Sequence, residues 1–333
     1  MVYSIGAAII VKNEEANILR CLNSIKSFCK QIVVVDTGSS DNTAILAAKF
    51  GVDLYFCKWK NDFSEARNFA IKHLHTDWII SIDADEELVN ENFLSDFEKI
   101  NIHSNFHSNK VGGISIVLNN FLDEKLETAK QHRFTRIFRN DKRIKFEGKI
   151  HEQVADSIYK ADFEIVESNI IFNHYGYIGK NIEKENRNKI LLEKSIEQNK
   201  DDDFLCYHLA TTEFSAGNYD KALELYLKTL HSPQLSNSQN DEIKLKIAQI
   251  FLQKNEFEKA IKILDFDASN IDDEGLRLSI LGVSYLSLQD FAKAKAIYSN
   301  PAIEQSKLVD KTIVENAKKI FAIINQSPVP KVD

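Results

Sequence analysis

The sequence predicts an α/β domain on a doubly wound, largely parallel sheet, followed by an all-α domain of helical repeats. Three observations predict it. In the first half, short β-branched runs alternate with helical stretches, the rhythm of strand–helix–strand units. From about Lys180 onward the pattern is helical only. Within that half, AGNYDKALELY (Ala216–Tyr226), KNEFEKAIKIL (Lys254–Leu264) and LQDFAKAKAIY (Leu288–Tyr298) share one pattern, with Ala222, Ala260 and Ala294 38 and 34 positions apart. The expected domains are 1–180 and 181–333.

Each element has its own warrant. Ile5–Val11 is a near-continuous apolar run, as in a strand covered on both faces. Glu14–Lys26 reads as a helix, with Ala16, Leu19, Leu22 and Ile25 at helical spacing. Gln31–Asp36 is a second buried strand. Asp41 caps a helix running through Phe50. Val52–Phe56 reads as a short strand, Phe63–Leu74 as a helix and Trp78–Asp83 as the next strand. Val111–Leu118, Gln131–Phe138 and Ile165–His174 are strand candidates, with FEGKIHEQV in Lys145–Ala155 between the last two. These would extend the sheet and shape an acceptor side. In the helical half, Ala210, Ala248 and Gly282 lie upstream of the three alanines, and Tyr219, Phe257 and Phe291 precede them by one turn. Small residues let paired helices cross closely, and the aromatics fill the turns. The pattern resembles the tetratricopeptide repeat, with Val309–Ile324 capping the stack.

Composition narrows the function. At 333 residues, 44% hydrophobic and 27% charged, the chain is an ordinary globular one with room for two cores. A net charge of −7 disfavours nucleic acid as a partner. No apolar run is long enough for a transmembrane segment. MVYSIGAAIIVKNEE lacks a basic n-region and a cleavage site, so no signal peptide is expected. Cys21, Cys29, Cys57 and Cys206 have no metal-type spacing and read as free thiols, which points to the cytoplasm.

The chemistry gathers at strand ends. The run Trp78–Ile82 stops at Asp83 and Asp85, and open α/β sheets bind ligands at that carboxyl edge. Paired carboxylates there suit Mg²⁺ or Mn²⁺ bound together with substrate phosphates. Asp36 ends a buried strand in a Gly-Ser turn, where it accepts from a base or ribose, or only caps the turn. Asn13 and Glu14 follow the first strand, near a base or capping the first helix. Arg67 neutralises a diphosphate, or pairs with Asp62 or Glu65.

VKNEE (Val11–Glu15), VVVDTGSSDNT (Val33–Thr43), DFSEARNFA (Asp62–Ala70) and DADEE (Asp83–Glu87), in this order, resemble the family 2 glycosyltransferases with the GT-A fold. The resemblance spans roughly Ile5 to Gly179. It implies a GT-A (Rossmann-like) nucleotide-sugar domain in which Asn13, Glu14, Asp36, Arg67, Asp83 and Ala84 bind the donor. Asp83 contacts ribose or metal-bound water, and Asp85 binds Mg²⁺ or Mn²⁺. Glu86 and Glu87 are expected to be solvated or to support the metal ligands.

A second cluster, RFTRIFRNDKRIKFEGKIHEQV (Arg133–Val154), resembles a bacterial subgroup fused to helical repeats. Inverting transfer needs a group to take the acceptor proton. Glu152 is the first candidate, with Glu147 second. His151 is a metal ligand, a phosphate donor or the base itself, and His174 reaches the metal or diphosphate from the far side. One of Arg133, Arg136 and Arg139 faces the phosphates and the others are surface. No Q-x-x-R-W motif is present, which points to one sugar per visit.

The expected function is therefore inverting, metal-dependent transfer of one sugar from a nucleotide sugar, UDP-linked, to a protein or peptide side chain. The repeats would hold the acceptor or make a homodimer. The architecture resembles both the peptide S-glycosyltransferases of bacteriocins and the transferases of flagellin and lipopolysaccharide core, so a glycan acceptor stands as the alternative. A nucleotidyltransferase would carry a basic, Gly-rich loop where VKNEEAN is acidic and glycine-free. A non-catalytic repeat scaffold would not need Asp36, Arg67, Asp83 and Asp85 together.

Overall fold

A computed structural model describes residues 3–89, 93–103, 110–121, 129–176 and 182–326. The chain divides into two compact units, Met1–Lys184 and Glu185–Asp333.

The first unit is built on a sheet whose strands are β1 (Ile5–Val11), β2 (Gln31–Asp36), β3 (Asp53–Phe56), β4 (Trp78–Ser81), β5 (Glu86–Leu88), β6 (Val111–Phe121), β7 (Ala129–Arg139) and β8 (Glu164–His174). They lie in the order β3-β2-β1-β4-β7-β6-β8-β5. The β3-β2-β1-β4 half is parallel. β7 joins β4 antiparallel and begins the mixed half. Parallel strands need helical crossovers on both faces, which is why these runs are apolar throughout. Six of the seven β1 residues are buried. Gly6 is required there, because a Cβ would come within 2.5 Å of the Thr76 hydroxyl.

The helices are α1 (Ile18–Ile25), α2 (Thr43–Phe50), α3 (Phe63–Ile71), α4 (Phe93–His103) and α5 (Ala155–Lys160). Ile18, Cys21, Leu22 and Ile25 of α1 join Ala47 of α2 and Phe93 and Phe97 of α4 in one core layer. Ala70 of α3 and Ile158 of α5 lie in the other. β1 sits between β2 and β4, so the order in which strands are added reverses beside it, the point at which a crevice forms at the carboxyl ends.

Several boundaries depart from expectation. The first helix begins at Ile18 rather than Glu14, because Glu14 and Asn17 form a turn whose amides reach the neighbouring loop. α3 ends at Ile71, and β4 stops at Ser81, where the chain turns through Asp83 to Glu86. The β5 strand was not anticipated. Lys145–Ala155 is no regular strand: beyond a single bridge between Glu147 and Gln153 it is irregular, with Gly148 at φ 99° and His151 at φ 53°.

In the second unit, α6 (Ile182–Gln198) precedes three helical hairpins: α7 (Asp203–Ser215) with α8 (Tyr219–Thr229), α9 (Asn237–Gln253) with α10 (Phe257–Ile263), and α11 (Ile271–Ser287) with α12 (Phe291–Tyr298). Ala210 and Ala222, Ala248 and Ala260, and Ala294 are all fully buried. A Cβ on Gly282 would meet the Tyr298 ring at 2.5 Å, so the third hairpin depends on glycine for its close crossing. Each hairpin turns through one left-handed residue, Gly217, Asn255 or Gln289, at the spacing of the alanines. α13 (Pro301–Gln305) and α14 (Lys311–Gln326) close the series, with Val314, Ala317 and Phe321 packed against Tyr298.

Candidate active site

Three strand ends and one tethered loop build the site. After β1, Asn13 adopts φ 56°, and its carboxamide oxygen accepts from the Ser40 backbone N–H at 2.8 Å. Asn13 thereby joins the loops after β1 and β2. Glu14 lies in the turn before α1: its carbonyl accepts from the Asn17 and Ile18 N–H groups, and its own N–H donates to the Thr43 hydroxyl. Asp36, 2% exposed at the end of β2, caps the turn that follows it. Its Oδ1 accepts the Gly38 and Ser39 N–H groups, each at 2.7 Å. Its Oδ2 is buried with no hydrogen-bond partner among the described residues. An orphaned acceptor of that kind is costly unless a ligand donor completes it.

Arg67 reaches the crevice from α3, whose first turn is capped by Asp62. It is 6% exposed and pairs with neither Asp62 nor Glu65. Nor does it stand open to a diphosphate. Its Nε donates to Glu152 at 2.5 Å, Nη1 to Ser81 at 3.2 Å and Nη2 to Asp83 at 2.7 Å. Burial alone would lower its pKa, but Asp83 and Glu152 outweigh that and raise it. The loop carrying Glu152 is held to α3 by backbone and amide contacts. The Phe63 N–H donates to Lys149, and the Asn68 carboxamide exchanges two bonds with the Phe146 backbone, each at 2.9 Å. These contacts bring Glu152 to Arg67 across 85 residues of sequence.

Asp83 is gripped from both sides, since Arg136 donates to its Oδ2 at 3.0 Å. Burial would raise its pKa, and the two guanidinium groups reverse this and hold it well below the usual carboxylate range. Arg136 also donates to Glu86 at 2.9 Å. Glu86 is 1% exposed, which removes the solvated alternative of the two expected for it. Arg136 is likewise no surface residue, and Arg139 lies against the Trp78 ring and donates to the Val111 carbonyl.

Asp85 is 7% exposed, and its Oδ2 lies 3.6 Å from His174 Nε2. His174 Nδ1 sits 2.8 Å from Asn120 Oδ1, a contact that places the proton on Nδ1 and turns Nε2 toward Asp85. Burial pushes the His174 pKa down, but the neighbouring carboxylates, Asp85 first, bring it above its ordinary value. Gly176 lies over the pair, where a Cβ would approach both Asp85 Oδ2 and His174 Nε2 to 2.5 Å. Ala84 is buried within the turn.

Asp83, Arg67, Glu152, Arg136 and Glu86 thus form one connected ion network beside the Asp85–His174 pair. Glu147 is not in it: it lies at the surface, where Lys160 at 2.8 Å and Lys145 at 3.5 Å lower its pKa. His151 is exposed on its left-handed turn.

Among the described residues, no three His, Cys, Asp or Glu side chains are grouped to hold a metal. Asp85 and His174 present an oxygen–nitrogen pair that could hold one, while Asp83 is placed with the arginines. Such a pair under a glycine suits Mg²⁺ or Mn²⁺, which keep water and take substrate phosphates as further ligands.

Residues 7–151 match the family model described as glycosyl transferase family 2. The chain carries a glycosyltransferase domain of this family, joined to tetratricopeptide-like helical hairpins. The SPbeta prophage-derived glycosyltransferase SunS of Bacillus subtilis (strain 168) is 28% identical over 276 residues, covering 79% of this chain and 62% of that protein. A TPR repeat-containing protein of Synechococcus elongatus is 29% identical over 67% of this chain and 55% of its own length. The glucosyl-3-phosphoglycerate synthase of Mycobacterium tuberculosis, solved with Mn²⁺ and UDP, is 12% identical at a TM-score of 0.42, covering 59% of this chain and 80% of that one. The chain spans less than two thirds of the length of the curated relatives named here. No helix among the described residues is long and apolar enough to cross a membrane.

Proposed function

We propose that this chain is an inverting, divalent-metal-dependent glycosyltransferase that moves one sugar from a UDP-linked donor to a protein or peptide side chain. The observation that carries this reading is the convergence, at one sheet edge, of the orphaned Asp36 oxygen, the Asp85–His174 pair and the Arg67–Glu152 pair. Asp36 Oδ2 accepts an N–H or O–H of the nucleoside, and Asn13 holds the two loops that flank the base. Asp83 keeps lone pairs for a ribose hydroxyl beyond those taken by the arginines. Asp85 and His174 would hold the metal, which would supply positive charge beside the diphosphate. Glu152 is the base. Arg67 occupies its Oε1 and fixes its orientation, which leaves Oε2 to take the acceptor proton as the sugar bond forms. His151 and Glu147, on the same loop, border the acceptor. In this reading residues 1–180 perform transfer and 181–333 present the acceptor or dimerise.

Calorimetry with UDP and Mn²⁺, followed by a hydrolysis screen across nucleotide sugars, tests the proposal. We expect Mn²⁺-dependent binding of UDP and hydrolysis of one donor, both lost in Asp85→Ala. Binding of UDP that ignores Mn²⁺, or an active Asp85→Ala protein, would sink the metal role.

A further inference from the structure

We infer that Glu86, acting with Arg136, is a positioning residue that fixes the Asp83–Asp85 turn in the geometry at which Asp85 and His174 take a divalent cation. The inference rests on the reading of the site given above.

Every polar contact recorded for the Glu86 carboxylate serves that turn. Oε2 accepts the Asp83 backbone N–H at 2.9 Å, and Oε1 accepts Arg136 Nη2 at 2.9 Å. The same Arg136 nitrogen donates to Asp83 Oδ2 at 3.0 Å. The Glu86 N–H returns to the Asp83 carbonyl at 2.9 Å, which closes the turn from its other end. Asp83 is therefore clamped through its N–H, its carbonyl and its carboxylate, and Asp85 lies between the clamped residues. Strand register supplies the second half of the site. Glu86 pairs with His174, and His174 pairs with Asn120, so the three side chains stand in a row on one sheet face.

The residue type is informative because it is unfavourable for the fold. Glu86 is 1% exposed in a three-residue strand whose next same-face residue, Leu88, belongs to the apolar core. Holding a carboxylate out of water there carries a desolvation cost that a guanidinium shared with Asp83 offsets only in part, and this opposes folding. An apolar residue would suit the core better. A buried carboxylate that binds the Asp83 N–H and the same Arg136 nitrogen that grips Asp83 is accounted for by what it does to Asp83 and Asp85.

The test is Mn²⁺ affinity measured by calorimetry at saturating UDP, with thermal unfolding recorded on the same preparations. Glu86→Gln keeps an oxygen for the Asp83 N–H but loses the pairing with Arg136. Its Mn²⁺ affinity should fall 10–100-fold, with unfolding still a single cooperative transition. Arg136→Met, which removes the nitrogen shared by Asp83 and Glu86 but keeps a long side chain, should lose about tenfold or more, and it provides the test if Glu86→Gln does not fold. Folded variants that bind Mn²⁺ within twofold of wild type, whatever their melting temperature, would overturn the inference and leave the site reading standing. Wild-type protein that takes up neither Mn²⁺ nor UDP would overturn the site reading and the inference together.

Discussion

Each unit buries a carboxylate among cations, and the two are handled in opposite ways. In the helical unit, Glu213 is fully buried, while Lys221 at 2.6 Å and Lys189 at 2.9 Å keep roughly half and a third of their side-chain surface in water. Asn218 adds a bond at 2.7 Å and anchors the first hairpin turn. Burial would raise the Glu213 pKa, but Lys221, Asn218 and Lys189 bring it down to about 2. In the transferase unit, Glu86 stays raised, and its partner Arg136 is buried and shared with Asp83. Solvated lysines that close on one carboxylate stabilise a fold. Buried arginines forked across several carboxylates hold a shape against water at a cost to stability, and that arrangement marks the site.

The sharpest way to break this contrast is through the network's outer member. Glu152→Gln preserves volume and a hydrogen-bond acceptor for Arg67 but removes the proton acceptor. Transfer should fall by roughly 10²–10⁴-fold, while UDP affinity in Mn²⁺ stays within about threefold. A variant with near-normal turnover moves the base elsewhere, with His151 and Glu147 next to be tested.

Glu213 supplies the structural counterpart, with the opposite readout. Its folded pKa is depressed from 4.5 to about 2, so its contribution is present above pH 4.5 and fades as pH falls through that interval. After allowance for the solvent-exposed lysines, it is worth about 2 kcal/mol at neutral pH. Glu213→Gln should lower helical-unit stability by that amount at pH 7 and by much less near pH 2, with donor hydrolysis unchanged. Equal destabilisation at both pH values would mean that packing, not charge, explains Glu213.

How much of this the sequence discloses follows from the range of the interactions. The parallel strands and the Asp83–Asp85 turn are legible because burial on both faces leaves an apolar run with a polar stop. The hairpins are legible because close crossings demand small residues at a fixed period, as at Ala210 and Ala222. Glu86 is left open in the sequence between a solvated and a supporting role because a three-residue strand carries no periodicity and its partners, Arg136 and His174, are 50 and 88 positions away. Arg67 misreads for a related reason. Asp62 and Glu65 are near in sequence, while its actual partner Glu152 arrives on an irregular loop that no pattern of alternation describes.

Asn120 gives the smallest and most selective expected effect. Its Oδ1 faces His174 Nδ1 at 2.8 Å, and the β6–β8 register sets the two side by side. If this contact fixes the tautomer, Asn120→Ala releases the ring to rotate and to carry its proton on either nitrogen. Mn²⁺ affinity should then fall about tenfold, with UDP affinity in the absence of metal and the thermal transition both close to wild type. Asn120→Asp separates orientation from charge: it retains an acceptor for Nδ1–H and adds a negative charge, so it should recover most of the lost affinity. Recovery by Asp but not by Ala or Leu would show that a hydrogen-bond acceptor at position 120, rather than its bulk, aims the imidazole at the metal. Equal Mn²⁺ binding by all the variants would mean that Asn120 does not aim the imidazole.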